Sequence, residues 1–171
     1  MILLSPSRQI NVSLIKAVDM GHIFLENSEK RHRLPINIAH ISDDFRTVFQ
    51  DKAEPQAKNV VVHFTTLVSD KPLKDPGIVE ICGEDALCPV SFGQYFQVLV
   101  EVERELTLGH YRPSAILSFV VGYIYDTRGK LWTVGSCLSH TGDGWLIGVY
   151  PFGLISWPSG YQFAVSHFRK L

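Results

Sequence analysis

The stretch from residue 97 to residue 168 constrains the fold most, because it contains most of the apolar and aromatic side chains of the C-terminal half. Its apolar runs are separated by the short glycine-containing segments 126–129 and 140–144. Glycine in such segments supplies the positive φ angle that tight hairpins require. The pattern predicts a meander of antiparallel strands, in which the proline-containing loop 151–160 leaves the sheet before a last strand from Tyr161.

Segment 98–108 is compatible with two periodicities, and the choice between them decides the fold class. With a period of two, its valines lie mostly on one face and its glutamates on the other. With a helical period an apolar stripe also forms, consisting of Phe92, Tyr95, Phe96, Leu99, Val102 and Leu106. Because β-branched residues at alternate positions favour strands, the sequence predicts a strand here. In the alternative, residues 90–107 form a helix that packs against an antiparallel sheet.

Apolar runs and local signals predict the remaining elements. Residues 115–125 are apolar on both faces, which is typical of a central strand covered on both sides. Ser42, followed by two aspartates, predicts the N-cap of a short helix at 43–53. Further strands are predicted at 9–17, 22–26, 34–41, 60–68 and 78–81. Pro35 places the strand at 34–41 on a sheet edge.

These elements predict one globular domain over residues 1–171, which is long enough to bury a substantial core. The predicted fold class is mainly β, an antiparallel sandwich or jelly-roll-like barrel with one short helix. The low share of charged residues, 19%, together with 13 Gly and 9 Pro, suits a strand-and-turn chain better than a helical bundle.

Charge and hydropathy exclude several classes of partner. The formal net charge is −1, so the chain lacks the basic surface that sequence-independent nucleic-acid binding requires. No apolar run reaches the length of a membrane span. The apolar run at the start of the sequence is also shorter than the apolar region of a signal peptide. The three cysteines are an odd number, which is not typical of a secreted disulfide framework. The sequence therefore predicts a soluble, cytoplasmic protein with no nucleic-acid or membrane partner.

Cys82, Cys88, Cys137 and His140 are the candidate metal ligands, because zinc prefers thiolate and imidazole groups. The separation between Cys82 and Cys88 is wider than in most structural zinc sites. Free cysteines are also common in protein cores, where they act as small apolar side chains. We therefore expect no bound cofactor, with zinc as the alternative.

Cys137, His140 and Asp143 form a candidate catalytic set, in which they would serve as nucleophile, base and orienting carboxylate. In cysteine hydrolases, however, these groups usually come from distant segments rather than from one turn. The set leaves a Cys/His-dependent hydrolase as an alternative function. A second alternative is a small-ligand-binding protein with a pocket between its sheets.

Aromatic residues are concentrated in the last third of the chain, near segments rich in Gly and Ser. Exposed rings can stack on sugars or anchor protein partners, because their flat faces supply contact area at little entropic cost. The candidate binding residues are Trp145, Tyr150, Trp157 and Tyr161. Trp157 lies in the predicted loop and is predicted to be accessible. In the competing interpretation, most of these rings fill the core.

The leading hypothesis from the sequence is a non-catalytic binding or assembly protein. It would bind a protein or a glycan, or self-associate, through its sheet faces and the loop around Trp157. A virion component or a small accessory inhibitor would fit this description. The sequence does not identify the partner, the ligand or the oligomeric state.

Overall fold

The structure is a computed structural model, and it describes residues 2–4, 8–25, 36–82, 89–108 and 119–165. Of these described residues, 45% lie in strands and 27% in helices. The mainly β class predicted from the sequence is therefore confirmed, but the described residues contain four helices rather than the one short helix that was predicted. No helix within the described ranges is both long enough and apolar enough to cross a bilayer.

The elements are numbered in chain order. The strands are β1 (Ile2–Leu4), β2 (Arg8–Ile15), β3 (Val18–Asp19), β4 (Ile38–Ile41), β5 (Ala53–Glu54), β6 (Ala57–Ser69), β7 (Leu73–Lys74), β8 (Phe119–Tyr125), β9 (Leu131–Leu138), β10 (Trp145–Pro151), β11 (Ser156–Trp157) and β12 (Gln162–Val165). The helices are α1 (Met20–Leu25), α2 (Asp43–Phe49), α3 (Asp75–Cys82) and α4 (Phe92–Thr107).

Eight of these strands form one large sheet. Its order is β1–β6–β12–β8–β9–β10–β4, and β2 also pairs with β6. The hairpin strands β8, β9 and β10 pair antiparallel, as predicted for the C-terminal meander. The sheet is nevertheless mixed rather than wholly antiparallel, because β12 pairs parallel to β8 and β10 pairs parallel to β4. β4 lies at the end of this order, the edge position that Pro35 predicted.

Both faces of the sheet are covered. On one face, the α4 face, side chains such as Phe64, Val120 and Val134 pack against the aromatic residues of α2 and α4. On the other, the α3 face, Val121, Tyr123 and other residues pack against α3 and the loop 150–161. Successive side chains of a strand point to opposite faces, so β8 contributes to both cores. This confirms β8 as a central strand covered on both sides over 119–125, whereas residues 115–118 lie outside the described ranges.

The prediction of a strand at 98–108 was wrong, and the alternative of a helix over 90–107 is correct. The valines occur in both periodicities, but the helical stripe also buries the rings of Phe92, Tyr95 and Phe96. A capping box starts the helix, because Ser91 accepts from the Gln94 amide and Gln94 accepts from the Ser91 amide. Burial of a continuous aromatic stripe outweighs the strand preference of the valines.

The short predictions at 78–81 and 22–26 were also wrong as strands. The first segment lies in α3, which starts at Asp75 and accommodates Pro76 in its first turn, where a missing amide hydrogen costs nothing. The second lies in α1 as far as residue 25, and residue 26 is outside the described ranges. Both segments are too short for periodicity to separate helix from strand.

Several local predictions are confirmed. Ser42 caps α2, where its Oγ accepts from the Phe45 amide at 3.2 Å, although the helix ends at Phe49 rather than at 53. Gly129 and Gly142 have φ angles of 79° and 76°, as their hairpin turns require. The strands predicted at 9–17 and 60–68 are β2 and β6. The loop after Pro151 leaves the large sheet, and its β11 pairs instead with β7.

Candidate functional site

The buried carboxylate of Asp75 connects the loop 151–158 to the sheet. The side chain is fully buried at the start of α3. Its Oδ1 accepts from the Trp157 indole nitrogen at 2.6 Å and from the Tyr123 hydroxyl at 3.2 Å. Its Oδ2 accepts from the Gly153 amide at 2.7 Å and from the Thr133 hydroxyl at 3.0 Å. Four donors to one carboxylate offset much of the cost of removing its charge from water.

The sheet register places the two side-chain hydroxyls beside each other. Tyr123 of β8 and Thr133 of β9 are directly opposite one another, and both point to the α3 face. Burial, together with the nearby Asp75 carboxylate, raises the pKa of Tyr123 well above its ordinary value. The phenol therefore stays protonated and donates to the carboxylate. The loop supplies the remaining two donors, so this one group joins α3, two central strands and the loop.

The loop 151–158 packs its aromatic rings inward. The Trp157 ring centroid lies 5.5 Å from that of Tyr161 and 6.1 Å from that of Tyr150, and Phe152 lies 5.5 Å from Tyr123. Leu154 instead points outward and is 60% exposed. The loop is thus fixed from inside by hydrogen bonds and ring contacts, and it presents one large aliphatic side chain to solvent.

The prediction that Trp157 is accessible was wrong, because its side chain is only 3% exposed. An indole N–H needs an acceptor when it is buried, and here Asp75, 82 residues away in the chain, provides it. Trp145 is fully buried in the α4 face, and its indole nitrogen lies 3.4 Å from the Glu103 carboxylate. Tyr150 and Tyr161 are half-buried. Three of the four predicted binding aromatics, Tyr150, Trp157 and Tyr161, therefore support the loop more than they form its surface, whereas Trp145 belongs to the core of the α4 face.

The candidate catalytic set does not assemble in the structure. Cys137 is half-buried on β9, whereas His140 and Asp143 lie exposed in the following turn. Within the described residues, no hydrogen bond joins Cys137 to His140, and the Asp143 carboxylate accepts from the Thr141 hydroxyl at 2.6 Å. Burial raises the pKa of Cys137, which is opposite to the change that an activated nucleophile needs.

The candidate zinc ligands are not brought together by the described part of the chain. Cys82 is buried at the end of α3, while His140 is exposed in a turn beyond the end of β9. Cys88 lies outside the described residues. Among the described residues, no group of three His, Cys, Asp or Glu side chains is placed to hold a metal ion.

The Cys82 thiol is expected to resist alkylation in the folded protein. Burial raises its pKa to about 11, so at pH 8 about one molecule in a thousand carries the reactive thiolate. Iodoacetamide labelling followed by peptide mass spectrometry should show slow modification of Cys82, which accelerates as the pH rises. The same residue in urea-unfolded protein is the control, and equal rates in both states at pH 8 would contradict the assignment.

An open groove of about 390 Å³ lies beside the C-terminal half of α4. Its volume is in the range of small-ligand sites, but it lies at the surface and not between the layers of the fold. It is lined by Ile36, Asn37, Val100, Glu103, Arg104, Thr107 and Leu108. One acidic, one basic and several aliphatic side chains specify no single class of ligand.

Comparisons of this chain with protein-family models, with curated proteins and with solved structures found no match. The function is therefore inferred from the geometry of the chain alone. Asp75 is the central residue of that geometry, and sequence reasoning did not single it out. Its sequence signal was modest, an acidic residue directly before Pro76 at the head of an apolar segment.

Proposed function

We propose that this protein is a non-catalytic binding protein that engages a protein partner through the loop 151–158, with Leu154 as the central contact. The observation that carries the proposal is the contrast within this loop. A buried carboxylate fixes it from inside, while its one large aliphatic side chain is directed into solvent.

A fixed loop is suited to binding because little conformational entropy is lost when a partner docks. Complete burial of an exposed leucine side chain in an apolar pocket also makes the free energy of binding more favourable by about 1.5–3 kcal/mol. Exposed Pro151 and exposed Pro158 stand three residues before and four residues after Leu154 in the chain. Prolines restrict the backbone on both sides, which further limits the ordering that binding requires.

A protein partner fits this surface better than a glycan does. Sugars stack on the exposed faces of aromatic rings, whereas Phe152 of this loop packs against Tyr123, and Trp157 packs against Tyr150 and Tyr161. The exposed side chain is aliphatic and offers no such face. An apolar pocket on another protein is the natural complement of an isolated leucine.

The chemistry of the neighbouring groups supports a non-catalytic role. Both oxygens of the Asp75 carboxylate are occupied by donors from the fold itself. Burial raises the pKa values of Cys82 and Cys137, which keeps both thiols protonated near neutral pH. Neither the carboxylate nor the thiols are prepared for proton transfer or nucleophilic attack.

The Leu154→Ser variant is expected to lose partner binding while it stays folded. Removing the central contact should weaken binding by about tenfold or more, whereas a change at an exposed site should alter stability by less than about 0.5 kcal/mol. The measurement is quantitative capture from a lysate of the source organism, with each retained protein identified by mass spectrometry. Thermal melting of each variant reports whether it is folded.

Leu108→Ser is the matched control, because Leu108 is 55% exposed on another element, the end of α4. The proposal requires a protein that the wild type and the Leu108→Ser variant retain and the Leu154→Ser variant does not. Equal retention by all three forms would overturn it. Binding to a glycan array that the Leu154→Ser change abolishes would replace the protein partner by a carbohydrate.

A further inference from the structure

The outer edge of β2 has the properties of a strand-pairing surface. Within the described residues, β2 pairs with β6 along one edge, from Arg8 to Ile15. Backbone groups on its other edge therefore point away from the sheet. Between residues 9 and 15 the strand contains no proline and no charged residue. Natural edge strands usually carry such residues to prevent pairing with another chain.

The opposite edge of the sheet differs in this respect. Strand β4 has four residues, half the length of β2. Its pairing with β10 also shifts register between Trp145 and Leu146. Short length and local irregularity are devices that protect an edge from pairing. The structure therefore leaves β2 as the less protected of the two described edges.

The side chains of β2 match those of a second copy of the same strand. From Gln9 to Ser13 polar residues alternate with Ile10 and Val12, and the polar ones are exposed while the apolar ones are half-buried. Suppose that β2 of a second copy pairs antiparallel with this β2, so that the α4 faces of both sheets lie on the same side. The side chains of two directly opposed residues then lie on the same face of the joined sheet. In every register that keeps opposed side chains on the same face, apolar residues of one strand therefore lie opposite apolar residues of the other, and polar residues lie opposite polar residues.

We propose that two copies of this chain form a dimer in which their β2 strands pair antiparallel about a two-fold axis. Such an interface is self-complementary by symmetry, and the backbone ladder supplies its affinity. Helix α4 lies over β2, since Arg8 pairs with the buried Glu105 carboxylate and Ile15 lies against Gly93. The two α4 helices consequently lie on the same face of the joined sheet and add buried surface to the strand pair.

The mass in solution tests this proposal directly. Sedimentation velocity from about 1 µM to about 100 µM should show a concentration-dependent species of twice the chain mass of 19.2 kDa. Hydrogen exchange at the lowest and the highest of these concentrations should show added protection of those backbone amides in 9–15 that do not already pair with β6. A monomer at the highest concentration, or an assembly larger than a dimer, overturns the proposal.

A charge placed on the strand tests its location. Asn11→Lys is expected to raise the dimer dissociation constant by about tenfold or more, because like charges face each other near the two-fold axis. Asn11 is exposed, so the monomer should tolerate the change. Thr127→Lys, in the exposed turn between β8 and β9, is the matched control and should leave the constant unchanged. A dimer that both variants preserve equally would place the interface elsewhere.

Discussion

Replacement of Asp75 with alanine is expected to lower the free energy of unfolding by about 3–5 kcal/mol. The change removes the acceptor of four donors from the sheet and the loop, of which three are buried and the Gly153 amide is partly buried. Each buried donor left without a partner costs about 1–3 kcal/mol, and relief from burying the carboxylate returns part of that sum. Urea denaturation followed by tryptophan fluorescence and circular dichroism measures the loss.

Two further variants separate the carboxylate from its position in a helix. Asp43→Ala removes an exposed acidic residue from the first turn of α2 and should cost at most about 1 kcal/mol. Asp75→Asn keeps the shape of the side chain, but its amide nitrogen cannot accept a hydrogen bond. The loss in free energy of unfolding for Asp75→Asn should therefore lie between the losses for Asp75→Ala and Asp43→Ala. A loss for Asp75→Ala no larger than that for Asp43→Ala would show that the network contributes little.

The Asp75→Asn variant also connects stability to the proposed function. At a temperature where it remains folded, weaker contacts to Gly153 and Trp157 should release the loop. The affinity for the partner should then decrease although Leu154 itself is unchanged, because ordering the loop now costs part of the binding free energy. Unchanged binding in the folded variant would mean that Leu154 acts without support from the carboxylate.

Substitution of Gly122 by alanine is expected to destabilise the protein by about 2–3 kcal/mol. A Cβ atom at this position would lie 2.6 Å from Cδ2 of Tyr95. The ring has little room to move, because its hydroxyl donates to the Val120 carbonyl at 2.9 Å and lies 2.8 Å from the Ser136 hydroxyl. The added methyl group must displace α4 from the sheet or break these bonds. Chemical denaturation measures the difference.

Gly148→Ala is the control for this prediction. Gly148 is also a strand glycine, in β10, but its nearest contact for an added Cβ is the Tyr150 hydroxyl at 3.5 Å, an ordinary packing distance. The change should cost less than about 1 kcal/mol. If both alanine variants were equally stable, the close packing of Tyr95 on β8 would not contribute to the fold as the structure implies.

Particular residues explain which parts of the fold could be predicted from the sequence. The central strand β8 was predictable because its run of apolar residues on both faces has one common explanation. Helix α2 was predictable because Ser42 and the aspartates after it are a local signal. Helix α4 was not, because its valines fit two periodicities. Glu105 would face solvent in a strand, yet in the helix it is buried against Arg8, 97 residues away, a partner that spacing along the chain does not reveal.

The candidate site was less predictable than the fold. The sequence identified the aromatic loop but assigned Trp157 to its surface, because a tryptophan between Ser156 and Pro158 has no local partner. Its partner is Asp75, which the chain brings across only when α3 packs on the sheet. Neither local propensity nor spacing contains that information. Leu154, by contrast, carries no distinguishing sequence signal, because an isolated leucine in a loop is common.

The exchange rate of the Trp157 indole hydrogen tests the central claim most directly. Nuclear magnetic resonance of protein carrying ¹⁵N-labelled tryptophan can follow this hydrogen separately from those of Trp132 and Trp145. Because the indole N–H donates to a buried carboxylate at 2.6 Å, we predict exchange slowed by about a hundredfold or more relative to a free indole. The Asp75→Asn variant should lose most of that protection. Exchange at the free-indole rate in the wild type would contradict the account.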